Sequence, residues 1–336
     1  MNMKDKQITG SMSTKDPRYP WPPEEKYSGY HFGGWMPCRY PNGTFAPELT
    51  RDFVADFADI NRYFRASTEI EGWTRYELWD DGAPGFREEY GQPQPAIIYR
   101  GHEGSAKGTV LVCPGGAFLW KASYEGMPVA QHFYDQGYNA AVLDYRTAPY
   151  DLDLSFADGK RAIRYLRANA QKLGITNDRI AILGFSAGGI MSAMTGTGFT
   201  AGDPDALDPV ERFSSRPDAV VPCYGAFSSV AFPGGGLSYN RENQRYNALR
   251  SPDTLVSIDT PPFFIWQNAS MDDPRNALNL ARQLTIYGVP FELHIFPHGV
   301  HGTALSDGGS PTINSGDPHP HHWVELCEEW LNELGF

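Results

Sequence analysis

The sequence predicts an α/β fold, in which helices cover both faces of a mostly parallel central sheet. From residue 108 onward, short apolar runs alternate with segments that have helical periodicity. This alternation is typical of parallel strands that are joined by helical crossovers. A glycine-rich turn around Ser186 connects one apolar run directly to a helix-like segment, as expected for a strand–turn–helix unit. The 336 residues suffice for a large core, and α/β enzymes of this length often form one unit.

Eight segments have the length and composition of strands. The first two, residues 74–79 and 96–100, flank a turn rich in glycine and proline at residues 82–85. The other six are apolar runs of the kind found in strands buried on both faces, at residues 109–113, 139–145, 179–185, 219–224, 263–267 and 291–296. Helical spacing of apolar residues predicts helices over residues 47–66, 157–173, 276–287 and 322–334.

The composition excludes several classes of partner. The net charge is −12, and an acidic chain is repelled by nucleic acid and by anionic membrane surfaces. No apolar stretch is long enough to span a membrane, and the first residues lack the apolar core of a secretory signal, which favours a cytoplasmic location. The four cysteines form no close pairs, so neither a disulfide framework nor a metal site is expected.

The strongest chemical motif is the turn Gly184-Phe185-Ser186-Ala187-Gly188. An apolar strand precedes it and a helix-like segment follows it. This is the context in which G-x-S-x-G forms a nucleophile elbow, with the serine hydroxyl raised above the sheet. Ser186 is therefore the predicted nucleophile. The alternative is that Ser186 only caps an ordinary helix after a strand.

A serine that attacks an ester also needs backbone N–H groups that face the developing oxyanion. Ala187 lies at the N-terminus of the predicted helix, where the helix dipole favours negative charge. The segment Pro114-Gly115-Gly116-Ala117-Phe118 directly follows another strand, at the place where esterases carry a glycine-rich oxyanion loop. Gly116, Ala117 and Ala187 are therefore the predicted donors. The alternative for this segment is a plain glycine turn.

The general base and its acid partner are expected after the last strands, in the order serine, acid, histidine. Two histidines, His298 and His301, follow the final strand. We favour His301, because Gly302 follows it in a loop that can fold back over the strand ends. Asp272 and Asp273 both follow the preceding strand. Asp273 precedes a proline and a helix, where aspartate is a favoured cap, which leaves Asp272 as the preferred acid and Asp273 as the alternative.

At this point the sequence resembles a known family, the BD-FAE-like or acetylxylan-esterase-like branch of the α/β-hydrolase superfamily. The resemblance runs from about residue 75 to the C-terminus. It is carried by LWDDGAPG (78–85), VLVCPGGAF (110–118), YEGMPVA (124–130), LDYRTAPY (143–150), RIAILGFSAGG (179–189) and GVPFELHIFPHGVHG (288–302). It implies the α/β-hydrolase fold, and a triad of Ser186, His301 and either Asp272 or Asp273. It also implies that the oxyanion loop includes Gly116 and Ala117, and that the substrates are short acyl esters, such as acetyl groups on plant-derived sugars.

The chain departs from the family pattern at four places. Ala117 stands where the third loop glycine is usual, and Ile190 stands where a histidine often follows the elbow. The acid loop, MDDPRN, is shorter than usual. Tyr224-Gly225 replaces a tyrosine–proline pair after the strand at 219–224. These departures bear on substrate choice more than on the chemistry.

The domain organisation that follows has two parts. Residues 1–70 are expected to form an irregular arm and an amphipathic helix that pack on the core. Residues 71–336 are expected to form the α/β-hydrolase catalytic domain, with a loop insertion at about 229–260 that is rich in glycine, proline, serine and asparagine.

The predicted function is that of a serine carboxylic ester hydrolase acting on short-acyl esters, of plant-derived sugars or phenolics, without a metal or organic cofactor. One alternative is a serine peptidase of the same fold, which would use the same residues. Another is a non-catalytic relative that binds a small molecule. The expected partner is a small-molecule ester, and the sequence is compatible with a homo-oligomer.

Overall fold

The computed structural model describes residues 64–176, 179–228, 251–269, 272–299, 301–307 and 319–336. Eight strands in these residues form one sheet, in the order β1-β2-β4-β3-β5-β6-β7-β8. The strands are β1 (Thr74–Glu77), β2 (Ala96–Arg100), β3 (Thr109–Cys113), β4 (Asn139–Asp144), β5 (Ile180–Phe185), β6 (Ala219–Cys223), β7 (Phe263–Asn268) and β8 (Phe291–Phe296).

The sheet is mostly parallel. Strand β1 pairs antiparallel with β2, and β2 pairs antiparallel with β4, whereas all other neighbours are parallel. Strands β3 to β7 are buried along their whole length, which explains why their sequences are continuous apolar runs without alternation. Because the strands from β3 onward are parallel, their carboxyl ends meet at one edge of the sheet, where ligand sites of such folds usually form.

Within the described ranges, five helices cover the two faces of this sheet. They are α1 (Met127–Asp135), α2 (Leu152–Ala168), α3 (Ala187–Thr197), α4 (Arg275–Tyr287) and α5 (His322–Glu333). Helices α1 and α5 contribute side chains such as Phe133 and Trp323 to the core cluster on one face. Helices α2, α3 and α4 contribute to the cluster on the other face, with Ile163, Met191 and Leu280 among its members. The predicted α/β fold with helices on both faces is confirmed.

The helix boundaries differ from the prediction in two places. Helix α2 begins at Leu152 and ends at Ala168, so the predicted range of 157–173 was shifted toward the C-terminus. Part of its buried face is charged, since the Asp158 carboxylate pairs with the Arg146 guanidinium at 2.6 Å, and apolar periodicity does not detect such a face. Helix α1 was not predicted at all. It starts after Gly126 and contains Pro128 in its first turn, and both residues resemble turn signals in the sequence.

Two parts of the predicted domain organisation fall largely outside the described residues. Of the N-terminal arm and the helix at 47–66, only the residues from 64 onward are described, and residues 64–67 are helical. Phe64 is fully buried and belongs to the core cluster that includes α1 and α5. Residues 229–250 of the predicted insertion also lie outside the description. In the remainder of the insertion, Val256 is buried in the core cluster that includes Ile163, Met191 and Leu280. This part of the insertion is therefore packed on the sheet at Val256 and is not a fully exposed loop there.

Candidate active site

Ser186 lies in the sharp turn between β5 and α3, with φ of 52° and ψ of −114°. A non-glycine residue rarely adopts this backbone, and it is maintained here by close packing on both sides. A Cβ atom added at Gly184 would lie 2.0 Å from the Gly188 carbonyl oxygen, and one at Gly188 would lie 1.8 Å from that of Cys113. The two glycines of the G-x-S-x-G motif are therefore required by backbone contacts, and together they produce the turn that presents the serine.

The structure brings Ser186, His301 and Asp272 together at the carboxyl edge of the sheet. Ser186 Oγ lies 2.8 Å from His301 Nε2, and His301 Nδ1 lies 2.7 Å from Asp272 Oδ1. The Asp272 carboxylate is completely buried, whereas the His301 ring is 33% exposed. Ser186 follows β5, Asp272 comes shortly after β7, and His301 follows β8, so three separate strands position the three side chains. This geometry permits proton transfer from serine to imidazole, with the carboxylate accepting a hydrogen bond from Nδ1.

The alternative residues lie apart from this hydrogen-bonded chain. The Asp273 carboxylate accepts hydrogen bonds from the Arg275 backbone N–H at 3.0 Å and from the Arg275 guanidinium. The residue directly before the helix is Pro274, so Asp273 binds the first residue of the helix from one position further back than predicted, and the Arg275 partner lowers the pKa of Asp273. His298 is exposed on the loop after β8. His294, inside β8, pairs with Glu292 at 2.6 Å.

The predicted oxyanion loop, residues 115–117, lies directly against the elbow. A Cβ atom added at Gly115 would approach the Ser186 Cβ to 2.9 Å. The N–H of Gly115 donates to the Glu125 carboxylate at 2.7 Å, and this excludes Gly115 as an oxyanion donor. Ala117 has φ of 55°, in the left-handed region that favours glycine, which accounts for the usual glycine at this position. Ala187 is the first residue of α3. The donor roles of Gly116, Ala117 and Ala187 stay predictions.

The sequence analysis did not identify Glu125 and Tyr224 as parts of the site, although both are buried next to these loops. The Tyr224 hydroxyl donates to Glu125 Oε1 at 2.9 Å, and the Tyr224 hydroxyl oxygen accepts the Ala304 N–H at 2.8 Å. The Tyr224 ring meets the His301 ring edge-on, with 5.2 Å between centroids. The available signals were the acidic residue within the matching segment YEGMPVA and the tyrosine that directly follows β6.

The electrostatic surroundings of His301 favour its protonated form. Burial alone lowers the pKa of the imidazole, but the adjacent Asp272 carboxylate and then the charge of Glu125 outweigh it, so the pKa is raised above the usual 6.5. Burial also raises the pKa of Glu125, although the charge of His301 and the hydrogen bonds from Tyr224 and Gly115 oppose this shift. These surroundings therefore hold the pKa of the His301 imidazole above that of an ordinary histidine.

A measurable pH dependence follows from this shift. The imidazole accepts the serine proton only when it is neutral, so kcat/KM should fall as the pH decreases through the His301 pKa, with the midpoint above about 6.5. The check is the kcat/KM for 4-nitrophenyl acetate between about pH 5 and pH 9, corrected with the Ser186→Ala protein as a blank. A constant kcat/KM down to about pH 5 would contradict the assignment of His301 as the base.

The described residues also bear on metal, thiol and membrane sites. No group of three histidine, cysteine, aspartate or glutamate side chains in them is arranged to hold a metal ion. Cys113, Cys223 and Cys327 are buried free thiols whose pKa is raised by burial, so they are poor nucleophiles. None of the helices in the described part of the chain has the length and apolar character needed to cross a membrane.

Comparisons with known proteins find relatives that are named as hydrolases and esterases. The chain is 29% identical over 252 residues to endo-1,4-beta-xylanase B of Butyrivibrio fibrisolvens, and 27% identical over 236 residues to the "Probable carboxylic ester hydrolase LipM" of Mycobacterium tuberculosis. These matches cover 69% and 62% of this chain, and the chain spans 38% and 54% of the two relatives, which are therefore longer proteins.

One solved structure is matched over nearly its whole length by this chain. The acetyl ester-xyloside bifunctional hydrolase from Caldicellulosiruptor lactoaceticus is 34% identical, with a TM-score of 0.70, and the match covers 78% of this chain and 97% of that chain. The BD-FAE family model matches residues 97–277, which is more than half of the chain and includes β2 to β7 with the elbow between β5 and α3. The chain therefore belongs to the BD-FAE family and has the α/β-hydrolase fold.

Proposed function

We propose that this chain is a serine carboxylic ester hydrolase that cleaves short-acyl esters, chiefly acetyl esters of plant-derived sugars or phenolics. The observation that carries the proposal is the hydrogen-bonded chain from Ser186 through His301 to the buried Asp272. Serine at an elbow is a weak nucleophile until a neighbouring base removes its proton, and this arrangement supplies both the base and the group that orients it.

In the first half of the proposed cycle, Ser186 Oγ attacks the ester carbonyl carbon while His301 Nε2 accepts the hydroxyl proton. His301 Nδ1 keeps its proton and donates a hydrogen bond to the Asp272 carboxylate, whose charge stabilises the imidazolium. The carbonyl oxygen becomes an oxyanion, for which the N–H groups of Gly116, Ala117 and Ala187 are the proposed donors. When the tetrahedral intermediate collapses, the C–O bond to the alcohol breaks, and the alcohol leaves with the proton from His301.

In the second half, water replaces the alcohol. His301 removes a proton from the water while its oxygen attacks the acyl-serine carbonyl, and the same donors stabilise the second oxyanion. The bond to Ser186 Oγ then breaks, the oxygen regains its proton from His301, and the carboxylic acid leaves. The buried position of Asp272 keeps its charge close to the imidazolium in a poorly solvated environment, where the attraction is strongest.

The substrate class is supported by the names of the relatives. One is a xylanase and another is described as a hydrolase of acetyl esters and xylosides, so both names refer to xylan chemistry. The match to this second protein covers nearly its whole length. Removal of acetyl groups from xylan-derived sugars is therefore the reaction that we propose for this chain.

The test compares 4-nitrophenyl acetate, butyrate and octanoate. We expect kcat/KM for the acetate to exceed that for the octanoate by at least about tenfold, because forcing extra methylenes into a well-packed site costs about 1–3 kcal/mol. Acetate release from acetylated xylo-oligosaccharides, measured beside a 4-nitroanilide substrate, separates the esterase from a peptidase of the same fold. Faster cleavage of the octanoate, or of the anilide, would contradict the proposed substrate class.

A further inference from the structure

Glu125 is a buried carboxylate between the elbow and α1. It ends a short 3-10 turn, Ser123–Glu125, and only 2% of its surface is exposed. Burying a charged group is costly unless it is hydrogen-bonded, and here each carboxylate oxygen has a partner. Oε2 accepts the Gly115 N–H at 2.7 Å, and Oε1 accepts the Tyr224 hydroxyl at 2.9 Å. The two partners belong to different parts of the site.

On one side, Glu125 holds the loop that follows β3. Gly115 immediately precedes Gly116, and it packs against the Ser186 backbone turn so closely that it has no room for a side chain. Its N–H is oriented inward by the carboxylate. This hydrogen bond therefore helps to fix the next peptide groups, which carry the proposed oxyanion donors, together with backbone hydrogen bonds such as that from the Ala122 N–H to the Gly115 carbonyl at 3.0 Å.

On the other side, Glu125 reaches the loop that carries the general base. The Tyr224 hydroxyl accepts the Ala304 N–H at 2.8 Å, three residues after His301, and the Ala304 carbonyl accepts the Trp323 indole N–H at 3.0 Å. The Tyr224 ring also packs edge-on against the His301 ring. The orientation of the Tyr224 hydroxyl thus links the carboxylate to the backbone of the His301 loop.

We propose that Glu125 is a positioning residue that holds the oxyanion loop, through Gly115, and the His301 loop, through Tyr224, in one fixed arrangement around Ser186. This inference rests on the proposed esterase function. It assigns to Glu125 no contact with the substrate. Its effect on catalysis is transmitted through the backbone of the two loops that it joins.

Loss of Glu125 is expected to destabilise the transition state more than the bound substrate. Oxyanion donors contribute mainly when the negative charge develops, so displacing them lowers kcat and leaves KM nearly unchanged. A second effect is electrostatic. The charged and titratable groups that face His301 are Asp272, Glu125 and Tyr224, and the charge of Glu125 raises the His301 pKa. Removing that charge should lower this pKa and move the acid limb of the pH profile to lower pH.

The experiment uses Glu125→Gln, Tyr224→Phe and the double variant. For each single variant we expect kcat for 4-nitrophenyl acetate to fall about 10- to 100-fold, with KM within about threefold of wild type. Because both residues act through one network, the double variant should lose less activity than the product of the single losses. The acid limb should move to lower pH in Glu125→Gln, in which the charge beside His301 is absent.

The controls are matched substitutions of buried groups elsewhere. Asp158→Asn removes another buried carboxylate, and Tyr138→Phe removes another buried hydroxyl, one for which the described residues provide no hydrogen-bond partner. Thermal unfolding of all variants measures the effect on stability. Both controls should keep kcat within about threefold of wild type, whatever their unfolding temperature.

Two results would overturn the positioning role. One is a kcat within about threefold of wild type in both Glu125→Gln and Tyr224→Phe. The other is a fall in kcat that both controls reproduce, together with an unchanged acid limb, which would assign Glu125 to packing alone. Wild-type turnover equal to that of the Ser186→Ala blank would instead reject the esterase function itself, and the positioning role with it.

Discussion

Replacing Ser186 with alanine is expected to lower kcat for 4-nitrophenyl acetate by a factor on the order of 10⁴–10⁶. The substitution removes the hydroxyl oxygen that lies 2.8 Å from His301 Nε2. The members of a Ser-His-Asp triad act as a unit, so only the smaller rate enhancement from binding and from the proposed oxyanion donors should remain without the nucleophile. Steady-state release of 4-nitrophenol at matched protein concentration measures this directly.

The control for Ser186→Ala is its stability. Alanine fits the space that serine occupies, and it retains the same backbone strain at positive φ. The unfolding temperature should therefore stay close to that of the wild type. If wild type and variant hydrolyse the ester at the same slow rate while both are folded, Ser186 is not the nucleophile, and a small-molecule binding protein becomes the better interpretation.

Replacing Asp272 with asparagine should lower kcat by about 10⁴-fold. The carboxylate is completely buried and accepts a hydrogen bond from His301 Nδ1 at 2.7 Å. An amide in its place can donate a hydrogen bond to Nδ1, which stabilises the wrong tautomer of the imidazole and leaves Nε2 protonated. It also removes the charge that stabilises the imidazolium, so both steps of the cycle become slower.

Asp273→Asn is the matched control, since it makes the same chemical change at the neighbouring position. Asp273 contacts Arg275 and the start of α4 rather than His301, so kcat should change by less than about threefold. Single-turnover kinetics of both variants with 4-nitrophenyl acetate separate the two positions. A large loss in Asp273→Asn with little loss in Asp272→Asn would reverse the assignment of the acid.

Much of the sheet could be predicted from apolar runs, because strands buried on both faces need continuous apolar sequences. The runs at 109–113 and 291–296 match β3 and β8 residue for residue. The strand order could not be predicted from these runs, because it depends on how each connecting helix packs on one or the other face of the sheet. Likewise, the antiparallel pairing of β2 with β4 is a tertiary contact with no local signal.

The helices were harder to predict where their buried faces are polar. The Asp158–Arg146 pair lies in the core, so the apolar stripe that normally reveals a helix is interrupted at α2. Helix α1 combines Gly126 and Pro128 with a short apolar run, and that combination is ambiguous between a turn and a helix start. In both cases the packing of the folded chain, rather than local preference, determines where the helix lies.

The candidate site was predictable where a motif has a local physical cause. The elbow glycines are required by backbone contacts, so the sequence alone locates Ser186. The acid was ambiguous because Asp272 and Asp273 are adjacent and of the same type, and only the fold shows which one reaches His301. The network of Glu125 and Tyr224 joins residues 99 positions apart, and no sequence spacing reveals it.

The separation of the site residues along the chain also affects how the protein acquires activity during folding. Ser186 and His301 are 115 positions apart, and the histidine follows the last strand of the sheet. Such long-range pairings form slowly, because a large loop must close before the contacts that stabilise it exist. A nascent or partly refolded chain that has assembled the central strands but has not docked β8 contains the elbow and no base. Recovery of the proposed ester cleavage is therefore expected to report completion of the sheet, and it would not detect earlier collapsed forms.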